Sequence, residues 1–127
     1  MKKIIQTDAA PAPIGPYNQA IVHNGVLYMS GQIPLDPVTG QIVSDSIENE
    51  THCVLKNIKG ILEAAGLGFE DILKCSVFVT DIGNFSRINA VYGQYFDDAT
   101  APARELVQVA ALPRGVNIEI SVIAKTA

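Results

Sequence analysis

Apolar and polar residues are spaced over the first forty positions in a way that predicts strands and turns. The segment KIIQ at residues 3–6 predicts a short edge strand, whereas APAPIGPYN at residues 10–18 holds too much proline for regular structure. Further on, Asn24-Gly25 separates two apolar runs, and both residues tolerate the positive φ of a two-residue hairpin turn. A second turn is predicted at residues 36–40, DPVTG.

The apolar spacing becomes helical between residues 46 and 65. The positions that share one helical face are Ile47, Thr51, Val54, Leu55, Ile58, Ile61, Leu62 and Ala65. Asp45, with Glu48 three residues later, predicts a capping box at the start of this helix. Gly66 is the residue type that ends helices, so we expect the helix to stop there.

A second helix and three strands are predicted in the C-terminal half. The helix covers residues 84–96 with Asn84 as its cap, and the strands cover residues 72–80, 103–110 and 116–125. In the last strand one face carries Val116, Ile118, Ile120, Val122 and Ala124, and the other carries Asn117, Glu119, Ser121 and Ile123.

This order of elements predicts an α+β fold with one mixed sheet and two helices packed on one face. From the alternation along the last two strands, we expect the face without helices to carry Arg104, Leu106, Gln108, Glu119, Ser121 and Ile123. Such a face is too apolar to be left in water, yet it holds ionisable groups. We therefore interpret it as a subunit interface with a site built into it.

Composition narrows the functional classes. The 127 residues predict one domain, and 48% hydrophobic against 17% charged residues favours burial against another chain. No apolar run reaches the roughly 18 residues of a membrane span, and we expect no signal peptide. A net charge of −4 without a basic patch argues against nucleic-acid binding. Cys53 and Cys75 predict reduced thiols in a cytoplasmic protein, and no metal-binding or phosphate-loop motif is present.

Arg104 and Glu119 are the first candidates for chemistry, because each stands within an apolar strand. If the last two strands are neighbours, the two residues form a structural ion pair. Alternatively, the planar guanidinium binds a substrate carboxylate and the glutamate acts as a general acid or base.

Four further residues could line a cleft. Tyr17 follows a rigid Gly-Pro step that would fix its hydroxyl, although a packed aromatic ring is equally in keeping with the pattern. Ser30-Gly31 reads first as a turn, but the glycine would also let a ligand approach the backbone. Asn89 lies beside the apolar stripe of the second helix, where an amide is most often solvated.

The motifs together resemble the RidA (YjgF) family of enamine and imine deaminases. The stretches that carry the resemblance are AAPAPIGPYNQA, MSGQIPLDPVTG, NIKGILEAAG, VFVTDI, INAVYGQYF, APAR and VQVAALPRGVNIEI. The resemblance implies a single domain over residues 1–127 with a chorismate-mutase-like fold. It also implies a homotrimer with sites in the clefts between subunits, and hydrolysis of 2-aminoacrylate, 2-aminocrotonate and their imino forms to 2-oxo acids and ammonia. No cofactor and no metal are implied.

By the same resemblance, Arg104 would bind the substrate carboxylate and Glu119 would position or activate water. The residues that would line the cleft are Tyr17, Ser30, Gly31 and Asn89. Two positions depart from the family pattern: Leu106 stands where many members carry cysteine, and Glu105 where a small residue is common. Leu106 could still offer its backbone N–H to the carboxylate, and Glu105 is expected to point away from the ligand.

Two other functions stay open at this point. One is a trimer without catalytic activity that binds a metabolite or acts like a chaperone. The other is an endoribonuclease or translation inhibitor, a role with which relatives have been labelled. The acidic composition and the lack of paired histidines argue against this action on nucleic acid.

Overall fold

A computed structural model describes residues 1–126 of the chain. The elements are β1 (Lys3–Ile5), β2 (Ala20–His23), β3 (Val26–Gln32), α1 (Ile47–Ala64), β4 (Ile72–Val79), α2 (Phe85–Tyr92), β5 (Ala103–Gln108) and β6 (Ile118–Lys125). The six strands form one sheet in the order β1-β2-β3-β6-β4-β5. Only β4 and β5 pair in parallel, so the sheet is mixed, as predicted.

The turns predicted at the N-terminal end are confirmed. Asn24 and Gly25 join β2 to β3 with φ values of 50° and 78°, the conformation for which both residue types are suited. The turn at residues 36–40 is closed by a 2.9 Å hydrogen bond from the Gly40 N–H to the Asp36 carbonyl. The strand predicted at residues 3–6 is confirmed as the edge strand β1.

The predicted caps of both helices are wrong in detail. The Ser46 hydroxyl, not Asp45, accepts the hydrogen bond from the Asn49 N–H, and Asp45 binds the Asn49 side chain instead. Serine wins because its hydroxyl lies one residue nearer to the free N–H groups of the first turn. Asn84 makes no side-chain cap on α2, and that helix ends at Tyr92 rather than at residue 96.

Both helices cover the same face of the sheet, as predicted, and the core lies between the two layers. The fully buried residues of α1 pack there, and Ile118, Ile120, Val122 and Ala124 of β6 face them. Glu50 of α1 is also buried, and its carboxylate accepts hydrogen bonds from the backbone and side-chain N–H groups of Asn117 at 3.0 and 2.7 Å. This contact ties α1 to the residue just before β6.

The sequence predicted that Arg104, Leu106 and Gln108 of β5 lie on the face without helices, and this prediction is wrong. Parallel pairing places Arg104 opposite Cys75, and Leu106 opposite Val77, and these two β4 residues are buried under the helices. Arg104 therefore lies on the helix-covered face. Glu119 pairs with Phe78 on the face without helices, which we call the open face. Because β4 separates β5 from β6, the ion pair between Arg104 and Glu119 of one chain does not form.

Candidate functional site

Four of the predicted site residues line one cavity of about 440 Å³, which we call the Glu119 cavity. Its walls come from the proline-rich loop before β2, the end of β3, the turn at residues 113–115 and β6. The predicted residues in it are Tyr17, Ser30, Gly31 and Glu119. They are distant in sequence and meet because β6 pairs with β3.

A β-bulge brings Gly31 against Glu119. Met29 pairs with Val122 and Gln32 pairs with Ile120, so Ser30 and Gly31 together stand opposite one residue of β6. A Cβ placed on Gly31 would lie 2.5 Å from Oε2 of Glu119 and 2.7 Å from its Cδ. Only glycine leaves this space free, so the residue type at this position sets where the carboxylate lies.

The surroundings of the Glu119 carboxyl group favour its protonated form. The side chain is half-buried, and loss of solvation raises its pKa above the ordinary value of a glutamate. Within residues 1–126 it receives no hydrogen bond and no ion pair, so no fixed donor holds it ionised. A half-buried carboxyl group with a raised pKa is the kind of group that general acid or base chemistry uses.

The hydroxyl groups of the cavity differ in what they can offer. Ser30 donates its hydroxyl proton to the Asn18 carbonyl at 2.6 Å, which leaves its oxygen only as an acceptor. The Tyr17 hydroxyl accepts a 3.4 Å contact from the Ile14 N–H, and its own O–H donates to no group of residues 1–126. The side chain is half exposed. Tyr17 is therefore the hydroxyl donor that a ligand could use.

Sequence reasoning missed two residues that shape this cavity. Gln19 is buried, and its side-chain amide donates to the carbonyls of Thr7, Ala10 and Pro11, which folds the N-terminal loop over the cavity. Its only signal in the sequence is a polar residue at the start of an apolar strand. Arg114 also lines the cavity, with a left-handed φ of 59°, and nothing in the sequence singled it out.

The other predicted site residues lie apart from this cavity, Asn89 on α2 and Arg104 and Leu106 on β5. The Arg104 guanidinium donates a 2.7 Å hydrogen bond to the Asn89 side-chain oxygen. It also lies over the rings of Tyr92 and Phe85, at 4.7 and 5.7 Å from the ring centroids. We call these four residues the Arg104 cluster. In the part of the chain that the structure describes, no carboxylate pairs with Arg104.

The two positions that depart from the family pattern fall on opposite faces. Leu106 is half-buried and packs against the hydrophobic core. Glu105 lies on the open face, where it accepts a hydrogen bond from Ser76 and pairs with Lys74 at 3.0 Å. These contacts lower the pKa of Glu105, the Ser76 hydrogen bond most of all. Glu105 thus has the parity opposite to Arg104, as the alternation predicted, and leaves the Arg104 charge alone.

A second and larger cavity of about 740 Å³ lies beside α1, between that helix and residues 36–45. It contains Cys53, whose pKa is raised by burial, so its thiol is a poor nucleophile. Nearby, the His52 ring nitrogen Nδ1 hydrogen-bonds the Tyr95 hydroxyl at 2.7 Å.

Over residues 1–126 no group of three or more His, Cys, Asp or Glu could hold a metal ion. Nor is any helix of that range long and apolar enough to cross a membrane.

Comparison with known proteins settles the family. The family model described as endoribonuclease L-PSP matches residues 7–126. A RutC family protein of Synechocystis is 52% identical over 123 residues, which are 96% of this chain and 95% of that protein. TdcF of Escherichia coli K12, named as a candidate reactive intermediate deaminase, is 48% identical over 98% of this chain and 97% of its own length.

Solved structures agree. A Rid family protein of Yersinia pestis superposes with a TM-score of 0.96 at 48% identity, covering 99% of this chain and all of that one. E. coli TdcF with bound serine superposes with a TM-score of 0.92 at 46% identity, covering 98% and 99% of the two chains. The chain belongs to the endoribonuclease L-PSP family, also called the YjgF/RutC family, and the resemblance to RidA proteins is confirmed.

Proposed function

We propose that the protein hydrolyses reactive 2-imino acids and their enamine tautomers to 2-oxo acids and ammonia. The substrates are 2-aminoacrylate with 2-iminopropanoate, and 2-aminocrotonate with 2-iminobutanoate. Family membership and the name of TdcF support a deaminase, and the serine bound to TdcF has the carboxylate and adjacent nitrogen of such substrates. A cytoplasmic location stays a prediction.

One observation carries the proposal: within residues 1–126, Arg104 has no carboxylate partner and Glu119 receives no hydrogen bond. We interpret the Arg104 cluster and the Glu119 cavity as two halves of one site. A small 2-imino acid needs both, since it has one carboxylate to be held and one electrophilic carbon to be hydrated. We propose that the halves meet in clefts of a homotrimer, each cleft taking Arg104 from one subunit and Glu119 from the next.

The open face supports assembly with further copies of the chain. Cross-strand pairing aligns Ile4, Ile21, Tyr28 and Ile123 in one row across four strands. Ile4 and Tyr28 are about half exposed in the single chain. An apolar row of this kind on a small protein is the usual mark of an interface between protein chains.

The chemistry follows from the two halves. Arg104 and Asn89 bind the substrate carboxylate, with the guanidinium donating two parallel hydrogen bonds. Ionised Glu119 accepts a proton as water adds to C2 of the imine, and Tyr17 donates a hydrogen bond to the substrate. Glu119 passes this proton to the nitrogen, which gives a carbinolamine. Glu119 then accepts the proton of the new hydroxyl group and passes it to the nitrogen as the C–N bond breaks, so ammonia leaves and C2 becomes the carbonyl carbon of the 2-oxo acid. For the enamine, the protonated carboxyl first adds a proton to C3. Water supplies the oxygen, so nothing is oxidised or reduced.

The test is ammonia release from freshly generated 2-aminoacrylate. We expect Glu119→Gln to lower kcat about 100-fold or more, the range for loss of a general acid or base. Arg104→Met should lower kcat/KM by about 10- to 100-fold, because a charge-assisted bidentate contact is lost. Arg87→Met is the matched control, since Arg87 pairs with Glu48 on the surface. A wild-type protein that fails to accelerate ammonia release would overturn the proposal.

Action on RNA has less support, although the family description includes an endoribonuclease. The net charge is −4. The two histidines lie on different elements: His52 is on α1 and hydrogen-bonds Tyr95, whereas His23 is the last residue of β2. A salt-titrated RNA-binding assay separates the two functions, because contacts to phosphates give tight binding that falls steeply with salt.

A further inference from the structure

Within residues 1–126, the groups that contact the Arg104 guanidinium carry no charge. Asn89 accepts one of its hydrogen bonds through a neutral amide, and the remaining close contacts are the rings of Tyr92 and Phe85. Phe85, Asn89 and Tyr92 are spaced by four and three residues, so α2 presents them on a single helical face. The neighbouring carboxylate, Glu105, lies on the other side of β5 and is occupied by Lys74 and Ser76.

This arrangement fixes a cation without neutralising it. A carboxylate partner would hold the guanidinium equally well, but it would occupy the paired donors that a substrate carboxylate needs. An aromatic face attracts a cation through its quadrupole and takes none of its N–H donors. With one N–H group given to Asn89, the other donors of the planar fork stay free.

We propose that Tyr92, assisted by Phe85, is a positioning residue that aligns Arg104 for binding the substrate carboxylate. The inference rests on the proposed function, in which Arg104 holds that carboxylate, and adds how Arg104 is made ready for it. Tyr92 acts through Arg104 and is not itself in contact with substrate. The part of Tyr92 that does this is its ring and not its hydroxyl.

The surroundings of the Tyr92 hydroxyl support that distinction. Its oxygen is buried beside the Cys75 thiol, a weak hydrogen-bond partner, and has no nitrogen or oxygen partner among the described residues. Burial raises the pKa of Tyr92 well above that of an ordinary phenol. The side chain therefore stays neutral and never becomes a counter-ion for Arg104. The hydroxyl thus gains little from its weak partner, and the group of Tyr92 that contacts Arg104 is the ring.

The test compares Tyr92→Phe with Tyr92→Leu. The first keeps the ring and removes the hydroxyl, and the second removes the ring. Calorimetry gives the Kd for 2-oxobutanoate, which needs no turnover, and ammonia release gives KM and kcat. We expect Tyr92→Leu to raise Kd and KM about tenfold with little change in kcat, the range for a desolvated cation–π contact. Tyr92→Phe should stay within about twofold of the wild type.

Two further variants guard against a loss of folding. Phe85 is 42% exposed, so Phe85→Leu should leave the fold intact and still raise Kd about two- to threefold. Tyr95→Leu is the matched control, because Tyr95 is an aromatic residue just beyond α2 that contacts His52 and Phe69 instead of Arg104. Its Kd should equal that of the wild type. Thermal unfolding and light scattering check that each variant is folded and assembled.

The outcomes separate this inference from the proposed function. If the wild type binds 2-oxobutanoate but releases no ammonia, the deaminase proposal fails, and the Kd series still decides the role of Tyr92. A folded Phe85→Leu or Tyr92→Leu variant with unchanged Kd would overturn the positioning role. So would a Tyr92→Phe variant that loses as much affinity as Tyr92→Leu. If the wild type binds no 2-oxo acid but releases ammonia, the deaminase proposal stands, and an unchanged KM in Tyr92→Leu would overturn the positioning role.

Discussion

Gly31 and Glu119 form the closest approach in the candidate site, and a single methyl group tests it. In Gly31→Ala the new Cβ would lie 2.5 Å from Oε2 of Glu119, so the carboxyl group must move. Misplacing a proton-transfer group by about 1 Å costs catalysis more than folding, and we expect kcat to fall at least about tenfold. Gly68→Ala is the matched control, because its Cβ would likewise lie 2.6 Å from a glutamate carboxylate, that of Glu70, outside the Glu119 cavity. Equal activity in both variants would contradict this packing.

The raised pKa of Glu119 predicts a pH dependence of both activity and stability. As a base Glu119 must be ionised, so kcat should fall as pH drops through a value above the ordinary pKa of glutamate. The folded state favours the protonated form. Glu119 therefore contributes most to the free energy of unfolding at pH values below the ordinary glutamate pKa. This contribution is lost as the pH rises through the raised pKa of the folded state.

Glu119→Gln should remove both effects. Denaturant unfolding should show the variant at least as stable as the wild type at pH 7, with the wild type gaining relative to it at pH 4. Glu105→Gln is the contrasting case, because the pKa of Glu105 is lowered and its ionised form is the stabilised one. A variant Glu119→Gln that is clearly less stable than the wild type at pH 7 would show that the carboxylate is paired in the folded protein.

At the scale of elements, the start of α1 gives a direct comparison between the predicted and the observed cap. Ser46→Ala removes the hydroxyl that accepts from the Asn49 N–H at 3.1 Å and should cost about 1 kcal/mol of unfolding free energy. Asp45→Ala removes only a contact to the exposed Asn49 side chain and should cost less than about 0.5 kcal/mol. Urea unfolding measures both, and the reverse order would restore Asp45 as the cap.

Local patterns in the sequence predicted most elements, because helical and strand periodicity record which side chains are buried. The Asn24-Gly25 hairpin and the helix end at Gly66, with φ 75°, followed from the conformational freedom of single residues. The face of Arg104 could not be predicted, because alternation gives parity along a strand but not which neighbour it pairs with. Glu50 shows the same limit: its partner Asn117 lies 67 residues away, and no local pattern marks a buried acid.

At the scale of the site, the sequence supplied its residues but not their grouping. Tyr17, Ser30, Gly31 and Glu119 meet because β6 enters the sheet between β3 and β4. The same insertion keeps Arg104 away from Glu119, so the ion pair considered from the sequence has no strand contact to support it. Strand order of this kind depends on long-range packing. Whether these residues act on substrate stays a prediction.

For the whole molecule, the apolar row on the open face predicts that one charge will prevent assembly. Tyr28→Glu places a carboxylate in the middle of that row, and we expect the oligomer to dissociate and lose activity. Val38→Glu is the control, since Val38 is 91% exposed on the turn at residues 36–40, outside the sheet. Sedimentation velocity should show a trimer for Val38→Glu and the wild type. A trimeric and active Tyr28→Glu variant would place the interface elsewhere.

The proposed division of the site between two subunits predicts complementation between variants of low activity. At substrate concentrations well below KM, Arg104→Met alone is expected to keep at most about a tenth of the wild-type activity, and Glu119→Gln alone at most about a hundredth. In a trimer that contains both variants, one of the three clefts takes an intact Arg104 from one neighbour and an intact Glu119 from the other, so about a third of the clefts are complete. Coexpression with two different tags allows the mixed trimers to be purified, and their ammonia release should recover to about that fraction of the wild type. Trimers that carry the same mutation in every subunit must stay at the low rates of the single variants. Mixed trimers without recovery would mean that Arg104 and Glu119 serve different sites, and the shared cleft would have to be abandoned.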